Sequence, residues 1–249
     1  MLKEFKVDLH IHTSLSPCGD ERMIPPMIVN QALGMALDML GICDHNSSEN
    51  VQAVTEASER FSLSIIGGME VTSREEAHIL TLFGGGNGLK EMQHIVYENL
   101  SGVNDEKAFG RQLVVDRYGN VVGTNPRLLI GATGLSVDDI VSITHELGGL
   151  AIASHVDKQM FSVTSQLGFV PEGVPFDALE ISAGCRSKIE DKRFSDCIFA
   201  GFNFPFVSFS DAHYPEDIGK SCTYALMEEN NFEELKKAIR GIGNRRVRL

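Results

Sequence analysis

Short apolar runs alternate with amphipathic stretches along most of this chain, and five of the runs end in side chains able to hold a metal ion. The runs at 5–11, 39–43, 63–71, 77–83, 150–154, 178–181, 204–209 and 223–227 read as strands. The stretches at 25–38, 49–61, 89–100, 137–147, 188–199 and 232–239 carry helical spacing, the first opened by Pro25-Pro26. Strands alternating with helices point to an α/β fold built on a mainly parallel sheet or barrel. With 249 residues, the chain suits one such domain. The rhythm breaks at 101–135, where Val114-Val115 and Val121-Val122 flank Gly119-Asn120 and predict an inserted hairpin.

The eight histidines stand at 10, 12, 45, 78, 94, 145, 155 and 213. Side chains alternate along a strand, so Asp8, His10 and His12 are expected on one face and Val7, Leu9 and Ile11 on the other. Three polar groups on one face at a strand end are costly unless solvated, paired or metal-bound. The second strand runs into Asp44-His45, the third into Glu70, the run 150–154 into His155, and 204–209 into Asp211 and His213. In a barrel of parallel strands those ends meet at one mouth. Imidazole with carboxylate suits Zn, Mn or Fe better than Ca or Mg. His94 and His145 fall mid-helix without a partner motif and read as non-ligands.

In order, Asp8-Leu9-His10-Ile11-His12-Thr13, Cys43-Asp44-His45-Asn46, Gly68-Met69-Glu70, Ala153-Ser154-His155 and Ser210-Asp211-Ala212-His213 resemble the motifs of the polymerase and histidinol phosphatase (PHP) superfamily. The resemblance implies a distorted (β/α)7 barrel with two or three divalent metal ions at the carboxyl face. It implies that His10, His12, Glu70 and Asp211 hold a first metal. Glu70 would bridge to a second, held by His78 and His155, and His45 and His213 would serve a third. Some members supply a further histidine where this chain has Ser16-Pro17-Cys18-Gly19-Asp20, so Cys18 as thiolate or Asp20 as carboxylate would stand in. A hairpin about Arg74 would set residue 78 opposite Glu70 and bring His78 to the same rim. Asp8 and Asp44 would orient ligating imidazoles from behind.

The implied activity is hydrolysis of a phosphate ester by a hydroxide held between two metals about 3.5–4 Å apart. His45 or His213, with Asp211, would serve the reacting atoms, and a histidine would protonate the leaving group. Lys158 and Arg186 follow strand ends and are candidates to hold the phosphate; Arg127 in the insertion is a third. The alternatives are a binuclear amidohydrolase-type enzyme and a non-catalytic accessory domain stapled by metals. The glycines at 84–88 lack the lysine of a phosphate loop and read as a turn near the mouth. Cys43 is expected in the core, the insertion over the mouth, and 166–171 as a pocket wall or dimer contact.

Composition narrows the partners. Lys and Arg number 22 against 34 Asp and Glu, a formal charge of −12, which disfavours a nonspecific nucleic-acid binder. Bound cations would reverse the field locally, so the expected substrate is a small phosphorylated metabolite, a nucleotide or a short oligonucleotide. The five cysteines (18, 43, 185, 197 and 222) are irregularly spaced and predict unpaired thiols in a reducing compartment. No apolar run reaches the roughly 18 residues of a membrane span, and the N-terminus lacks the apolar core of a signal peptide. A cytoplasmic location is the expectation.

Overall fold

A computed structural model describes residues 1–186 and 204–249. The helix expected at 188–199, with Cys197, lies outside the described residues. The strands are β1 (Lys3–Ile11), β2 (Met39–Ile42), β3 (Ser64–Thr72), β4 (His78–Phe83), β5 (Leu113–Val115), β6 (Val121–Thr124), β7 (Leu150–Ala153), β8 (Ala178–Glu180), β9 (Phe206–Val207), β10 (Thr223–Met227) and β11 (Arg246–Arg248). The helices are α1 (Pro25–Gly34), α2 (Val51–Ser58), α3 (Asn87–Asn99), α4 (Glu106–Phe109), α5 (Val137–Glu146), α6 (Val163–Leu167), α7 (Ala183–Arg186) and α8 (Phe232–Ile239).

Nine strands form one sheet in the order β11-β10-β1-β2-β3-β4-β7-β8-β9. The sheet curls into a distorted, nearly closed barrel, with β10 antiparallel beside β1 and β11 beside β10. The sheet is mixed, because β4 runs antiparallel to both β3 and β7. Residues after β9 nearly close the ring: His12 N donates to Ala212 O at 3.0 Å, and Ser208 N donates to Thr223 Oγ1 at 2.9 Å. Val7, Leu9, Ile66, Leu80, Leu82 and Ile152 pack together, with Phe232 and Leu235 of α8 joining them. On the opposite side Met69, Val71 and Ile79 pack against α3 and α5 through Met92, Val96 and Ile140.

The alternation expected along β1 breaks at its end. The pairing with β2 shifts register between Asp8 and Ile11. Ile11 therefore leaves the cluster of Val7 and Leu9 and packs with Ile28, Val29 and Leu40. Such irregularities re-aim side chains beside functional sites. Gly41 permits the close approach, since a Cβ there would lie 2.3 Å from the Leu9 carbonyl oxygen.

The β3–β4 register also departs from expectation. Thr72, not Glu70, pairs with His78, and Glu70 pairs with Leu80. The turn is centred one residue later than Arg74, held by Ser73 N donating to Ala77 O at 2.8 Å. The shift is two residues, so Glu70 and His78 still share a face. Antiparallel β4 carries the glycines at 84–88 to the rim opposite His78. There Gly84 abuts Phe232, so this turn is no part of the mouth. The inserted hairpin is present as β5–β6, turning through Gly119 at φ +85°.

Candidate metal centre

Glu70 lies at the middle of the mouth, 1% exposed. His10 Nε2, His12 Nε2, His45 Nδ1, His78 Nδ1 and His155 Nε2 stand 3.4, 3.5, 3.2, 3.0 and 3.3 Å from its oxygens. Asp211 Oδ1 sits 3.4 Å from His10 Nε2 and 3.3 Å from His12 Nε2. The His213 ring stacks on His12 with centroids 4.2 Å apart. Five strand ends and the start of β4 thus deliver one cluster, as the barrel topology requires.

Among the described residues, three overlapping groups have ligand atoms close enough to share an ion: His10, His12, Glu70 and Asp211; His45, Glu70 and His78; and His12, His45 and His213. The first is the set expected for a first metal. The second contains His45 where the family pattern has His155, although His155 also faces Glu70. The donor set fits divalent cations on a further ground. His45 Nδ1, His78 Nδ1 and Glu70 Oε1 are buried without a hydrogen-bond partner, a state that is costly unless something else satisfies them.

Electrostatics at Glu70, His12 and His45 agree with ligation. Burial pushes the Glu70 carboxyl up, but His78 and His10 outweigh it and hold the group well below the usual carboxylate range. Burial and nearby His213 push His12 down to about 3, and burial with His12 pushes His45 well below its ordinary value. Neutral imidazole is the form that binds metals. Burial opposes a proton on His10, yet Glu180, Glu70 and Asp211 raise its pKa well above normal.

Glu180 is the residue that sequence reasoning missed. It ends β8, is 1% exposed, and both its oxygens meet His10 Nδ1, at 3.1 and 3.0 Å. Its Oε2 also accepts from His155 N at 3.1 Å. The available signal was an acid inside the apolar run Ala178-Leu179-Glu180-Ile181. The orienting role expected of Asp8 and Asp44 takes another form. Asp8 accepts from Ser210 N at 3.0 Å and Gly219 N at 2.9 Å, so it fixes the backbone beside Asp211. Asp44 accepts from Thr13 N, Thr13 Oγ1 and Ser16 Oγ, each at 2.7 Å, and Ser16 Oγ in turn meets His12 Nδ1 at 3.0 Å. Neither carboxylate touches an imidazole.

The remaining candidates divide. Lys158 Nζ pairs with Asp211 Oδ2. Cys18 lines the cavity as an exposed thiol but belongs to none of the close ligand groups. Asp20 is directed elsewhere, because Arg22 engages its carboxylate through Nε at 2.9 Å. Arg186 lines neither of the two cavities at the mouth, and its Nη1 lies 3.5 Å from Ser221 Oγ. Arg127 covers the Tyr97 ring at 4.0 Å. His94 meets Glu98 at 3.3 Å and His145 meets Asp177 at 2.8 Å, both away from the centre. Cys43 is buried in the core. The 166–171 segment lines neither cavity, and Phe169 within it is exposed.

The mouth opens into a cavity of about 580 Å³ whose walls include Ile130, Met160 and Phe161. Ile130 comes from the insertion, which Asn46 anchors by donating Nδ2 to Leu129 O at 2.7 Å and Gly131 O at 2.8 Å. Asn46, His155 and Asp211 have φ of +49°, +29° and +52°. Such backbone costs about 1–3 kcal/mol per residue and gathers at functional sites.

No protein-family model matches the chain, and no curated protein matches it in sequence. Solved structures do match. The lesion-specific endonuclease EndoQ from Pyrococcus furiosus superposes with a TM-score of 0.77 at 21% identity, over 99% of this chain and 58% of that one. Endonuclease Q in complex with a 27-mer duplex bearing an abasic lesion gives 0.68 at 19%, over 98% and 58%. A two-domain protein from Bacteroides vulgatus, containing a predicted PHP-like metal-dependent phosphoesterase, gives 0.54 at 15%, over 99% and 64%. The chain thus spans 58% to 64% of the length of these three. It has the barrel fold shared by endonuclease Q and the PHP-like metal-dependent phosphoesterases.

Proposed function

We propose that the chain is a metal-dependent hydrolase of phosphate esters, acting through one barrel domain. The observation that carries the reading is Glu70, a buried carboxylate with five imidazoles within 3.5 Å of its oxygens. His10, His12, Glu70 and Asp211 would hold one cation; Glu70, His45, His78 and His155 a second; and His12, His45 and His213 a third if it binds. Zn, Mn or Fe suits this donor set. Such cations, when bound, polarise a phosphoryl oxygen and activate water at neutral pH.

The chain's own residues supply the rest. Lys158 stays charged, since Asp211 outweighs the burial that would lower its pKa, and it offers the phosphate a fixed cation. His213 Nδ1 meets the Asp211 carbonyl at 2.8 Å. Where no third cation is held, that contact keeps the proton on Nδ1 and leaves the Nε2 lone pair to take up a second proton and pass it to the leaving oxygen. Ile130, Met160 and Phe161 give the cavity beside the reacting centre an apolar wall. A nucleotide or short oligonucleotide is the preferred substrate class, supported by the likeness to a DNA-acting endonuclease. A small phosphorylated metabolite is the other.

The test is turnover by purified protein reconstituted with Zn, Mn or Fe, on 4-nitrophenyl phosphate, a nucleotide panel, and a panel of N-acyl amides and lactones. Hydrolysis of a phosphate, abolished in the His10→Ala/Asp211→Ala double variant, is expected. Turnover of amides alone would replace this reading with the amidohydrolase one. No turnover of any substrate, with metal shown bound, would leave the accessory-domain reading.

A further inference from the structure

Lys158 and Asp211 do not merely line one cavity. They line two adjoining cavities. On one side is the cavity of Ile130, Met160 and Phe161, about 580 Å³. On the other is a second of about 500 Å³, walled by Ser182, Ala183, Gly184, Ser210, Tyr214 and Asp217. Cys18, His155, Lys158, Asp211 and His213 border both. Among the described residues, each chamber also presents one exposed aromatic ring. Phe161 is 40% exposed and Tyr214 is 49% exposed.

Phe161 is held in place. Its backbone sits at φ +58°, its carbonyl accepts from His78 N at 2.8 Å, and its ring stacks on the His78 ring at 4.9 Å, 9° from parallel. A strained backbone that fixes an apolar ring half in solvent asks for a use. Tyr214 opens the turn Pro215–Asp217, whose Asp217 N donates back to Tyr214 O at 3.0 Å. A phosphate at Lys158 would have Phe161 in the lining of one adjoining cavity and Tyr214 in that of the other. A phosphomonoester has one substituent and fills one chamber; a phosphodiester has two.

We propose that the site takes a phosphodiester carrying two planar substituents, its phosphate at Lys158, one substituent against Phe161 and the other against Tyr214. The proposal rests on the phosphoesterase reading above and adds the diester class and the two subsites. Hydrolysis adds water across one P–O bond. The phosphate keeps one substituent as a monoester, and the other departs as an alcohol that takes up the proton. The Tyr214 chamber is bordered by Glu180, Asp211 and Asp217, so its substituent is uncharged or hydroxyl-bearing; a second phosphate would be repelled there.

Three substrates with one leaving group test this: 4-nitrophenyl phosphate, methyl 4-nitrophenyl phosphate and bis(4-nitrophenyl) phosphate. Rates are divided by those of the uncatalysed reactions. The bis-aryl diester is expected to exceed the methyl diester in kcat/KM at least tenfold, mainly through KM. Phe161→Ala and Tyr214→Ala should each cut that preference about five- to a hundredfold, the range for loss of one stacking platform. Phe161→Tyr should restore it. Calorimetric titration of diphenyl phosphate, which lacks a good leaving group, should show the same losses in affinity without turnover. Equal handling of the two diesters, or preference for the monoester, would overturn the proposal and leave the phosphoesterase reading intact. No hydrolysis of any of the three would overturn that reading as well.

Discussion

Replacing Glu180 by Gln isolates what a carboxylate behind the centre contributes. The side chain keeps its size, so packing is unchanged. What changes is one acceptor, which becomes an NH2 donor. Both Glu180 oxygens accept in the native structure, from His10 Nδ1 at 3.1 and 3.0 Å, and Oε2 also accepts from His155 N at 3.1 Å. The amide therefore either faces a donor with a donor or leaves the His155 N–H unpaired. A hydrogen bond to a charged group contributes about 1.5–3 kcal/mol. Losing a carboxylate behind a metal-ligating histidine weakens metal binding about 10- to 100-fold, which is about 1.4–2.8 kcal/mol, so the two estimates agree. The assay is competition between protein and a chromophoric chelator for zinc, with circular dichroism confirming the fold. Zinc affinity of Glu180→Gln within twofold of the unaltered protein would refute the reasoning.

Two further outcomes follow from packing and charge. Gly41→Ala drives a Cβ to within 2.3 Å of the Leu9 carbonyl oxygen; backbone cannot yield as a side chain can, so a loss of at least about 1–3 kcal/mol is expected, read as a fall in melting temperature of about 2–4 °C per kcal/mol. An unchanged melting temperature would contradict the close β1–β2 contact. Glu234, held by Arg245 Nε at 2.5 Å and Lys237 Nζ at 2.9 Å, has its pKa lowered from 4.5 to about 2. A depressed carboxylate stabilises the fold above its unfolded pKa, and that contribution fades as pH falls from about 4.5 towards 2. The melting-temperature gap between the unaltered protein and Glu234→Gln should therefore be wider at pH 7 than at pH 3; a constant gap would show that the charge does not matter.

Much of the centre is legible in sequence because a barrel turns strand ends into neighbours. His10, His12, His45, Glu70, His155, Asp211 and His213 each lie at or just past an apolar run, so topology alone predicts that they meet. What sequence hid was set by local backbone. The shift in β1 reverses the face of Ile11, and no residue type announces it. The β3–β4 turn is centred one residue later than its glycine-free sequence suggested, moving the register by two residues while sparing the shared face of Glu70 and His78. Strand direction decided the 84–88 turn: antiparallel β4 carries it to the wrong rim. Asp20 looked available until Arg22, two residues on, took its carboxylate. Glu180 was hidden because a lone acid in an apolar run reads as an exposed strand position, and only the barrel shows it behind His10.

The central claim is that Glu70 gathers divalent cations. The direct measurement is elemental analysis of the protein after equilibration with Zn, Mn or Fe and removal of excess metal by gel filtration, beside Glu70→Gln treated identically. The account predicts two to three metal ions per chain in the unaltered protein and fewer than one in the variant. It also predicts that metal at about 100 times its dissociation constant stabilises the fold by about 2.7 kcal/mol. Less than one ion per unaltered chain, or equal occupancy in Glu70→Gln, would contradict it.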